Sequence, residues 1–418
     1  MAQLQTLERL VASKGFPLYV YEEEAIAKQV ATIKEALPDF EIFYSVKTNP
    51  YPQICRYMSR QGLGADAASA EEVRKAVDSG FAYHNILYSS PGKTPADIDA
   101  TLGKALLVAD SYNELAMINS IGQKRCERIA VSLRINPAFH IGMGSSPEIT
   151  TAGAASKFGV DEESLLFNKP FIDTLEFIDI TGIHVFLRSQ VLGDDAIYQY
   201  FKRVFEIAAF CQDKMDWNLS LIDFGGGFGV PYSPTDQPLD WNTLGQKMKE
   251  LVTRQDFAGK EKPRLIVESG RFLVAQAGSF VTRVVDVKTS RGQKFVIVHG
   301  GLSGFLRPSV TNIVRLMASG DTGRSFEPLF SSQNAHLPCI PAKAGEPAEP
   351  VTIVGNLCTS MDVMARDAYM PNPQVGDIVC FGNAGAYGYS LSPSDFAGHP
   401  RPREIYLNAA GLIAEDFL

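Results

Sequence analysis

The sequence predicts an α/β fold: a (β/α)8 TIM-type barrel followed by a C-terminal antiparallel β domain. Eight short apolar runs alternate with helix-like stretches between residues 41 and 270. Their nearly continuous apolar character is typical of parallel strands that are buried on both faces, and eight such strands close a barrel. After about residue 275 the alternation is closer to a period of two and helical stretches are scarce, which indicates a separate β domain.

The eight predicted barrel strands are EIFYSVK (41–47), LGADAAS (63–69), ILYSS (86–90), LLVADS (106–111), IAVSLRIN (129–136), ITGIHVFL (180–187), LSLIDFGGG (219–227) and RLIVESG (264–270). Between them, helical spacing of apolar residues predicts helices at 69–80, 111–122 and 194–214. Five further strands are predicted in FVTRVVDVKTS (280–290), QKFVIVHGG (293–301), PVTIVGNLC (350–358), GDIVCFGNAGAY (376–387) and REIYLN (403–408). The Pro-rich stretch 331–350 predicts a loop. We expect a barrel domain over 20–275 and a β domain built from 1–19 and 276–418.

The composition excludes several classes of function. The chain has 39 Lys and Arg against 47 Asp and Glu, a net charge of −8, so no general positive field would attract nucleic acid or an anionic membrane. The N-terminus has charges within its apolar stretch, unlike a signal peptide, and no apolar run approaches the length of a membrane span. The six cysteines form no CxxC pair, so we expect neither a disulfide framework nor a metal site, and a cytoplasmic location.

Several candidate reactive residues stand at the C-terminal ends of the predicted strands, where barrel enzymes place their chemistry. Lys47 ends the first strand, where burial would lower its pKa and favour imine formation, although a solvated lysine is the ordinary alternative. Other strand ends are followed by Asp66 and Glu72 (second strand), Arg134 (fifth), residues 184–190 (sixth) and Glu268 to Arg271 (eighth).

The seventh strand ends in DFGGGFGVPY (223–232), which contains Gly225, Gly226 and Gly227. Consecutive glycines expose backbone N–H groups that can surround a phosphate, and a tight turn is the alternative. No GxGxxG or GxxxxGK(S/T) motif occurs, which disfavours a Rossmann or P-loop site. A strand-end lysine, a glycine cradle, a carboxylate and an arginine together indicate pyridoxal 5'-phosphate, with the carboxylate keeping the pyridine nitrogen protonated.

The sequence resembles the fold-type III pyridoxal-phosphate decarboxylases from about residue 16 to residue 408. The shared motifs, in the family's order, are YSVKTN, GADAAS with Glu72, VSLRINP, SKFGV, GIHVFLRSQ, DFGGGFG, ESGR, LRP, GNLCTSMD, and AGAYGYSLS followed by DFAGHPRP. The family includes the diaminopimelate, ornithine and arginine decarboxylases, and its barrel is similar to that of alanine racemase.

The resemblance implies a role for each matching position. Lys47 would be the Schiff-base lysine, Glu268 the partner of the pyridine nitrogen, and Cys358 the proton donor to the α-carbon after CO2 leaves. Matching phosphate-binding positions are Ser189, Gly227, Gly270, Arg271 and Tyr387, and residues supporting the lysine and the ring are Asp66, Glu72 and Arg134. In this family the cysteine comes from the neighbouring subunit, so the resemblance implies a homodimer with shared active sites. A small buried apolar residue is the alternative for Cys358.

Two departures from the family lie in the sixth-strand motif. Phe186 replaces a second histidine that stacks on the cofactor ring, and a phenylalanine can stack but cannot donate a hydrogen bond. Arg188 replaces a glycine. A cation there would suit a substrate carboxylate, and an arginine turned to solvent is the alternative.

Further departures concern the substrate tail. Thr359 stands where enzymes of diamino acids have an acid that binds the distal ammonium, so such an ammonium would lack its partner unless Asp362 substitutes. Arg307 matches the arginine that binds a distal carboxylate in diaminopimelate enzymes. Nearby, Thr311 replaces a tyrosine and His299 replaces an acid, so the pocket has lost an acid and gained cationic character.

We therefore expect a pyridoxal-phosphate-dependent α-decarboxylase whose small-molecule, amino-acid-derived substrate has a capped or carboxylate-bearing tail, of the N-citryl-ornithine type found in siderophore biosynthesis. The alternatives within this class are a diaminopimelate decarboxylase of lysine biosynthesis and a decarboxylase of a glutamyl group on a carrier protein. An amino-acid racemase would not release CO2. A non-catalytic pyridoxal-phosphate-binding regulator would commonly lack Lys47 or Cys358, and both are present.

Overall fold

The computed structural model describes residues 4–138, 155–186, 188–232, 236–255, 261–317 and 336–413, with the side chains of 312–317 left out. The chain divides into two compact units. The β unit comprises residues 1–29, 230–237 and 271–418, and the barrel unit comprises residues 30–229 and 238–270. Among the helices described, none has the length and apolar character needed to cross a membrane.

The helices and strands follow in chain order as α1 (Leu4–Lys14), β1 (Leu18–Glu22), α2 (Glu23–Ala36), β2 (Glu41–Ser45), α3 (Pro52–Arg60), β3 (Gly64–Ala67), α4 (Ala70–Asp78), β4 (Ile86–Ser89), α5 (Pro95–Thr101), β5 (Leu106–Ala109), α6 (Tyr112–Arg125), β6 (Ile129–Asn136), β7 (Val160–Asp161), α7 (Leu165–Ile172), β8 (Ile178–His184), α8 (Asp194–Lys214), β9 (Leu221–Asp223), α9 (Trp241–Thr253), β10 (Arg264–Ser269), α10 (Arg271–Val274), β11 (Gly278–Ser290), β12 (Gln293–Val298), α11 (Leu306–Met317), β13 (Glu349–Val354), β14 (Val363–Met370), β15 (Ile378–Phe381) and β16 (Arg403–Leu407).

The barrel unit contains a closed ring of eight parallel strands. Their order is β5-β4-β3-β2-β10-β9-β8-β6, and pairing of β6 with β5 closes the ring. One cluster of buried side chains from five of these strands consists of Phe43, Leu87, Val108, Leu221 and Ile266, a set of bulky apolar residues of the kind that fills such barrels. The predicted (β/α)8 barrel is confirmed, and all eight expected strands are present.

The strand register brings polar residues to the C-terminal end of the barrel. Arg134 at the end of β6 is in register with His184 of β8, which is in register with Asp223 of β9. Asp66 of β3 lies opposite Ser45, which is followed by a short 3-10 turn that contains Lys47. Side chains that are far apart in sequence therefore share one rim of the barrel.

The β unit has a seven-stranded sheet with the order β14-β13-β12-β11-β1-β16, and β15 also pairs with β11. Antiparallel pairings predominate, as expected, but β1 pairs with β16 and β12 with β13 in parallel. Helix α1 covers one face, where Leu7 and Leu10 pack in a core cluster with Val281 and Ile405.

The sequence prediction lacks several elements of the β unit, among them α1, β1, β14 and α11. In β14, Arg366 and Asp367 interrupt the apolar run VMARDAYM, which hides the strand. In α11, Pro308 lies in the first turn, where a backbone N–H has no partner within the helix. Proline is therefore tolerated there, although it usually indicates that a segment is not a helix. Of the predicted loop 331–350, residues 331–335 lie outside the described residues, and the rest includes a short 3-10 turn at Pro341–Lys343 before β13 begins.

Candidate active site

Lys47 and Asp66 form an ion pair at the rim of the barrel. The Lys47 Nζ donates to Asp66 Oδ2 at 2.5 Å, with the lysine side chain 41% exposed and the aspartate fully buried. The sequence suggested a desolvated lysine, but the Lys47 side chain is partly exposed and its ammonium group is paired with a carboxylate. Asp66 therefore holds and orients the amine.

A buried trio lies on three neighbouring strands of the same rim. Ligand-type atoms of His184, Asp223 and Glu268 all lie within 4.8 Å of one another, and all three side chains are buried. His184 Nε2 is 3.4 Å from Glu268 Oε1, an electrostatic contact rather than a well-formed hydrogen bond. Within the described residues, Glu268 Oε1 and both ring nitrogens of His184 have no hydrogen-bond partner.

The pKa values of the buried carboxyl groups on this rim shift in opposite directions. Burial alone would raise the pKa of Glu268, but His184 and Lys47 lower it below its usual range, so Glu268 stays ionised. Burial and the Glu268 charge raise the pKa of Asp223 well above its usual range. Burial likewise raises the pKa of Asp66, and the Glu268 charge adds to this effect. Glu268 is thus the carboxylate that can neutralise a cationic ring nitrogen.

The glycine loop after β9 is held close to neighbouring backbone. A Cβ on Gly226 would lie 2.4 Å from the Glu268 carbonyl oxygen, and one on Gly227 would lie 2.1 Å from that of Arg188. Gly225 and Gly227 also have positive φ angles of 60° and 117°. Only glycine fits these positions, so this loop can present bare N–H groups.

A similar close approach occurs at the end of β10. A Cβ on Gly270 would lie 2.0 Å from Thr48 Oγ1, a buried atom without a hydrogen-bond partner in the described part of the chain. Thr48 ends the 3-10 turn that carries Lys47. Gly270 therefore lets the lysine turn pack directly against the end of β10.

Two side chains from the sequence prediction are held by neighbours on the rim. Arg134 is buried, with its Nη1 3.4 Å from Asp110 Oδ1 and its guanidinium over the Phe158 ring at 4.4 Å. Glu72 accepts a hydrogen bond from the Ala68 N–H at 2.8 Å, while Ser69 accepts one from the Glu72 N–H at the start of α4. Glu72 thus fixes the local backbone, and Arg134 is held between a carboxylate and an aromatic ring.

The sixth-strand motif continues past β8 into a partly buried segment. A Cβ on Gly225 would lie 2.8 Å from Phe186 Cδ2, so the Phe186 ring packs on the glycine loop. Arg188 lines a small recess with Tyr200 and Phe201 of α8. Ser189 is half-buried in the same segment.

In the β unit, two arginines stack on one tyrosine. The Arg271 and Arg307 guanidinium carbons lie 4.9 Å and 5.4 Å from the centre of the Tyr387 ring. Arg271 also donates to the Tyr232 hydroxyl at 3.3 Å. Both arginines are buried, and Tyr387 has a positive φ of 54° that fixes its direction. The arrangement concentrates positive charge suited to anionic groups.

Cys358 lies in an exposed turn that follows β13. Thr359 is half-buried beside it, whereas Asp362 is only 2% exposed. The Asp362 carboxylate accepts hydrogen bonds from the Leu302 N–H at 2.6 Å and the Leu357 N–H at 2.9 Å. The thiol is therefore accessible on the single chain, while the nearby carboxylate is enclosed by backbone.

Three residues of these networks were not predicted as site residues from the sequence: Asp223, Asp110 and Tyr232. Asp223 ends its strand, so the same strand-end rule that selected Asp66 could have found it. Asp110 follows β5 and also accepts from the Gly159 N–H at 3.0 Å. Tyr232 carries no sequence signal, because its contact with Arg271 joins segments 39 residues apart.

The barrel residues fit pyridoxal 5'-phosphate. A paired lysine, an ionised and buried Glu268 with an oxygen lacking a donor, and a loop that excludes any Cβ match the amine, carboxylate and phosphate cradle that the cofactor requires. No structural feature of the described rim conflicts with this group.

Comparisons with known proteins agree with the geometry. Residues 23–275 match the family model described as "Pyridoxal-dependent decarboxylase, pyridoxal binding domain". The chain is 32% identical over 93% of its length, and 88% of the other, to a Niallia circulans decarboxylase named for an L-glutamyl group on the BtrI acyl-carrier protein. It is 29% identical over 93% of both chains to a Staphylococcus aureus decarboxylase named for a 2-hydroxybutanedioate bearing an L-alanin-3-yl carbamoylmethyl group.

Solved structures give the same answer. The crystal structure of Helicobacter pylori diaminopimelate decarboxylase with L-lysine matches with a TM-score of 0.81 and 27% identity, covering 96% of this chain and 93% of the other. The eight-stranded barrel, the strand-end lysine and carboxylates, and the family model over 23–275 converge on one conclusion. The chain belongs to the fold-type III pyridoxal-phosphate-dependent decarboxylases and is a carboxy-lyase that uses this cofactor.

Proposed function

We propose that the enzyme removes the α-carboxylate of an amino acid whose tail is capped or carries carboxylates, and that N-citryl-ornithine or a close relative in siderophore biosynthesis is the substrate. The observation that carries the proposal is the surrounding of Cys358. Thr359 offers no charge to a distal ammonium, and the nearest acid in the turn, Asp362, has both oxygens engaged by backbone N–H groups.

The two buried arginines provide the complementary argument. In the proposal, Arg271 contributes to binding the cofactor phosphate and Arg307 binds an anionic group of the substrate tail. Both stack on Tyr387, which holds the guanidinium groups in place. A carboxylate-bearing tail supplies the negative charge that such a cation binds through paired hydrogen bonds, whereas a free ammonium would be repelled.

Each catalytic side chain has a defined task in the proposal. When bound, pyridoxal 5'-phosphate supplies the electron-accepting ring that stabilises charge left on the α-carbon after loss of CO2. Lys47 Nζ, oriented by Asp66, would hold the cofactor. Glu268 would keep a proton on the ring nitrogen, and the glycine loop, Ser189 and Arg271 would each contribute to phosphate binding. Cys358 Sγ would give a proton to the α-carbon.

Cys358 acts in the active site of a neighbouring subunit in this proposal, so the working enzyme is a homodimer. The thiol is exposed on the single chain, and Met361 in the same turn is 51% exposed. An exposed thiol and an exposed methionine in one turn suit a surface that becomes covered on association.

The names of two relatives support a capped tail. One names an amino-acid side chain joined through an amide to a hydroxy-dicarboxylate, and the other names a glutamyl group on a carrier protein. In both, the reacting amino acid has no free distal ammonium. The second name also keeps carrier-bound glutamate as an alternative substrate.

A substrate panel tests the proposal. CO2 release is measured with N-citryl-ornithine, ornithine, lysine, diaminopimelate and a glutamyl-loaded carrier protein, with Lys47→Ala as the inactive control. We expect kcat/KM for N-citryl-ornithine to exceed that for each free diamino acid by about 100-fold, because a site without an ammonium partner discriminates against the free amine. Fastest turnover of ornithine, lysine or diaminopimelate would contradict the proposal, and fastest turnover of the carrier-bound group would select the alternative.

A further inference from the structure

Asp362 closes the turn that carries Cys358, here called the Cys358 turn (residues 357–362). Its Oδ2 accepts a hydrogen bond from the N–H of Leu357, the residue directly before the cysteine, at 2.9 Å. Its Oδ1 accepts one from the N–H of Leu302 at 2.6 Å. One carboxylate thus ties the Cys358 turn to the segment that leads into α11, the helix of Arg307.

Backbone hydrogen bonds complete the Cys358 turn around this carboxylate. The Gly355 N–H donates to the Asp362 carbonyl at 3.0 Å, and the Asp362 N–H donates to the Thr359 carbonyl at 3.3 Å. Asn356 adds a second link, since its Oδ1 accepts from the Gly300 N–H at 3.1 Å. The ends of the turn are therefore fixed while Cys358 remains exposed at its tip.

Two glycines make room for the Asp362 carboxylate. A Cβ on Gly301 would lie 2.0 Å from Asp362 Oδ1, and a Cβ on Gly355 would lie 2.2 Å from Oδ2. The backbone packs so closely on both oxygens that the side chain is 2% exposed. A substrate ammonium would have to displace this packing to reach the carboxylate.

A buried carboxylate is costly unless it is hydrogen-bonded, and N–H bonds to an ionised acceptor are short and directional. Replacing one oxygen by an amide nitrogen would set a donor against a donor, whichever way the amide is turned. We infer that Asp362 is a positioning residue that fixes the Cys358 turn for proton delivery and does not contact the substrate. This role replaces the ammonium contact considered from the sequence, and it rests on the proposed role of Cys358.

Asp362→Asn tests the inference, with activity measured on whichever compound of the substrate panel is turned over fastest. We expect kcat to fall about 100-fold, since a displaced reacting group has this effect, while KM stays within about threefold. In a Cys358→Ala background the same change should cause no further loss, because the two residues act as one unit. A wild-type kcat, a full additional loss in that background, or a raised KM with kcat retained would overturn the inference.

Amide hydrogen exchange supplies a readout that does not depend on turnover. In the wild-type protein the Leu302 and Leu357 amides should be protected, and Asp362→Asn should accelerate their exchange at least about tenfold while peptides from β10 are unaffected. Asp367→Asn is the matched control, because Asp367 is exposed in the neighbouring strand and asparagine tolerates its φ of 49°. Unprotected amides in the wild-type protein would overturn the inference even if the variant did not fold.

The two proposals fail in different ways. If Cys358→Ala keeps wild-type kcat, the proposed role of Cys358 is wrong, and amide exchange alone decides whether Asp362 holds the turn. If Cys358→Ala lowers kcat and Asp362→Asn does not, only the inference about Asp362 is wrong.

Discussion

In the proposed function, Thr359 sets the preference for a capped substrate tail over one with a free ammonium group. It is half-buried directly after Cys358, and the Asp362 carboxylate three residues on is already engaged by two backbone N–H groups. The Thr359 Oγ1 accepts a hydrogen bond from the Met361 N–H at 3.3 Å. A carboxylate introduced at 359 has two oxygens, so one can keep this bond while the other is left for a substrate ammonium. A substitution at this position should therefore change the preferred substrate from one with a capped tail to one with a free ammonium group.

Thr359→Asp should raise kcat/KM for ornithine relative to N-citryl-ornithine by about 10- to 100-fold, because a hydrogen bond to a charged partner contributes about 1.5–3 kcal/mol. Parallel CO2-release assays on both compounds measure the ratio. Thr359→Asn is the control, since it has similar size to aspartate and no charge, and should leave the ratio near its wild-type value. An unchanged ratio in Thr359→Asp would mean that residue 359 does not face the substrate tail.

At the scale of elements, the glycine loop after β9 depends on backbone conformation as much as on its lack of side chains. Gly227 combines a φ of 117° with an Arg188 carbonyl oxygen only 2.1 Å from where a Cβ would stand. The Val191 N–H also donates to the Gly227 carbonyl at 2.8 Å, so the loop is bound to the segment that follows Phe186. Movement of one segment would displace the other.

Gly227→Ala should therefore weaken binding of pyridoxal 5'-phosphate at least about tenfold and lower the free energy of unfolding by about 1–3 kcal/mol, since overpacked backbone must shift. Titration of the visible absorbance of the bound cofactor and urea unfolding measure the two effects. The control is Gly193→Ala, where the nearest atom to the new Cβ lies 3.9 Å away and an N-cap change costs about 1 kcal/mol. Wild-type cofactor affinity in Gly227→Ala would show that the loop does not hold the phosphate.

At the scale of the whole molecule, one buried histidine links stability to pH. His336 is 3% exposed, packs against Phe305 with ring centres 4.6 Å apart, and its Nδ1 is 3.0 Å from the Gly382 carbonyl oxygen. Burial lowers the pKa of His336 to about 3, the hydrogen bond to Gly382 opposes this, and the charges of Arg307 and Arg271 lower it further. The folded chain thus keeps this imidazole neutral.

Because the pKa of His336 is lower in the folded state than in the unfolded state, the unfolded chain binds an extra proton as the pH falls below about 6.5, and stability is lost. Between pH 7 and pH 5 this residue should cost about 2 kcal/mol of unfolding free energy. Urea unfolding of wild type and His336→Gln at both pH values checks this, because the variant should lose about 2 kcal/mol less. His84→Gln, at an exposed site, should behave as wild type; equal pH dependence in all three proteins would contradict the prediction.

The sequence by itself determined the barrel, the cofactor and the family, because buried parallel strands leave a continuous apolar signal and strand-end residues fall on one rim. The positions of Lys47, Asp66 and Glu268 at the barrel rim were predicted in this way, and helix α8 spans the predicted residues 194–214. Strand β14 was not predicted because Arg366 and Asp367 interrupt its apolar run. Helix α11 was not predicted because it contains a proline, which the helix tolerates since it lies in the first turn.

Only the tertiary structure decided which polar groups form hydrogen bonds with one another. Glu268 and Asp223 are both strand-end acids in sequence. Charged neighbours lower the pKa of Glu268 against the effect of its burial, whereas burial and the Glu268 charge raise the pKa of Asp223. Asp362 could serve a substrate or the backbone as far as sequence can tell. Its two N–H donors come from residues 60 and 5 positions away, and two glycines enclose it. Burial and partner geometry depend on contacts between distant segments, and no local pattern in the chain encodes them.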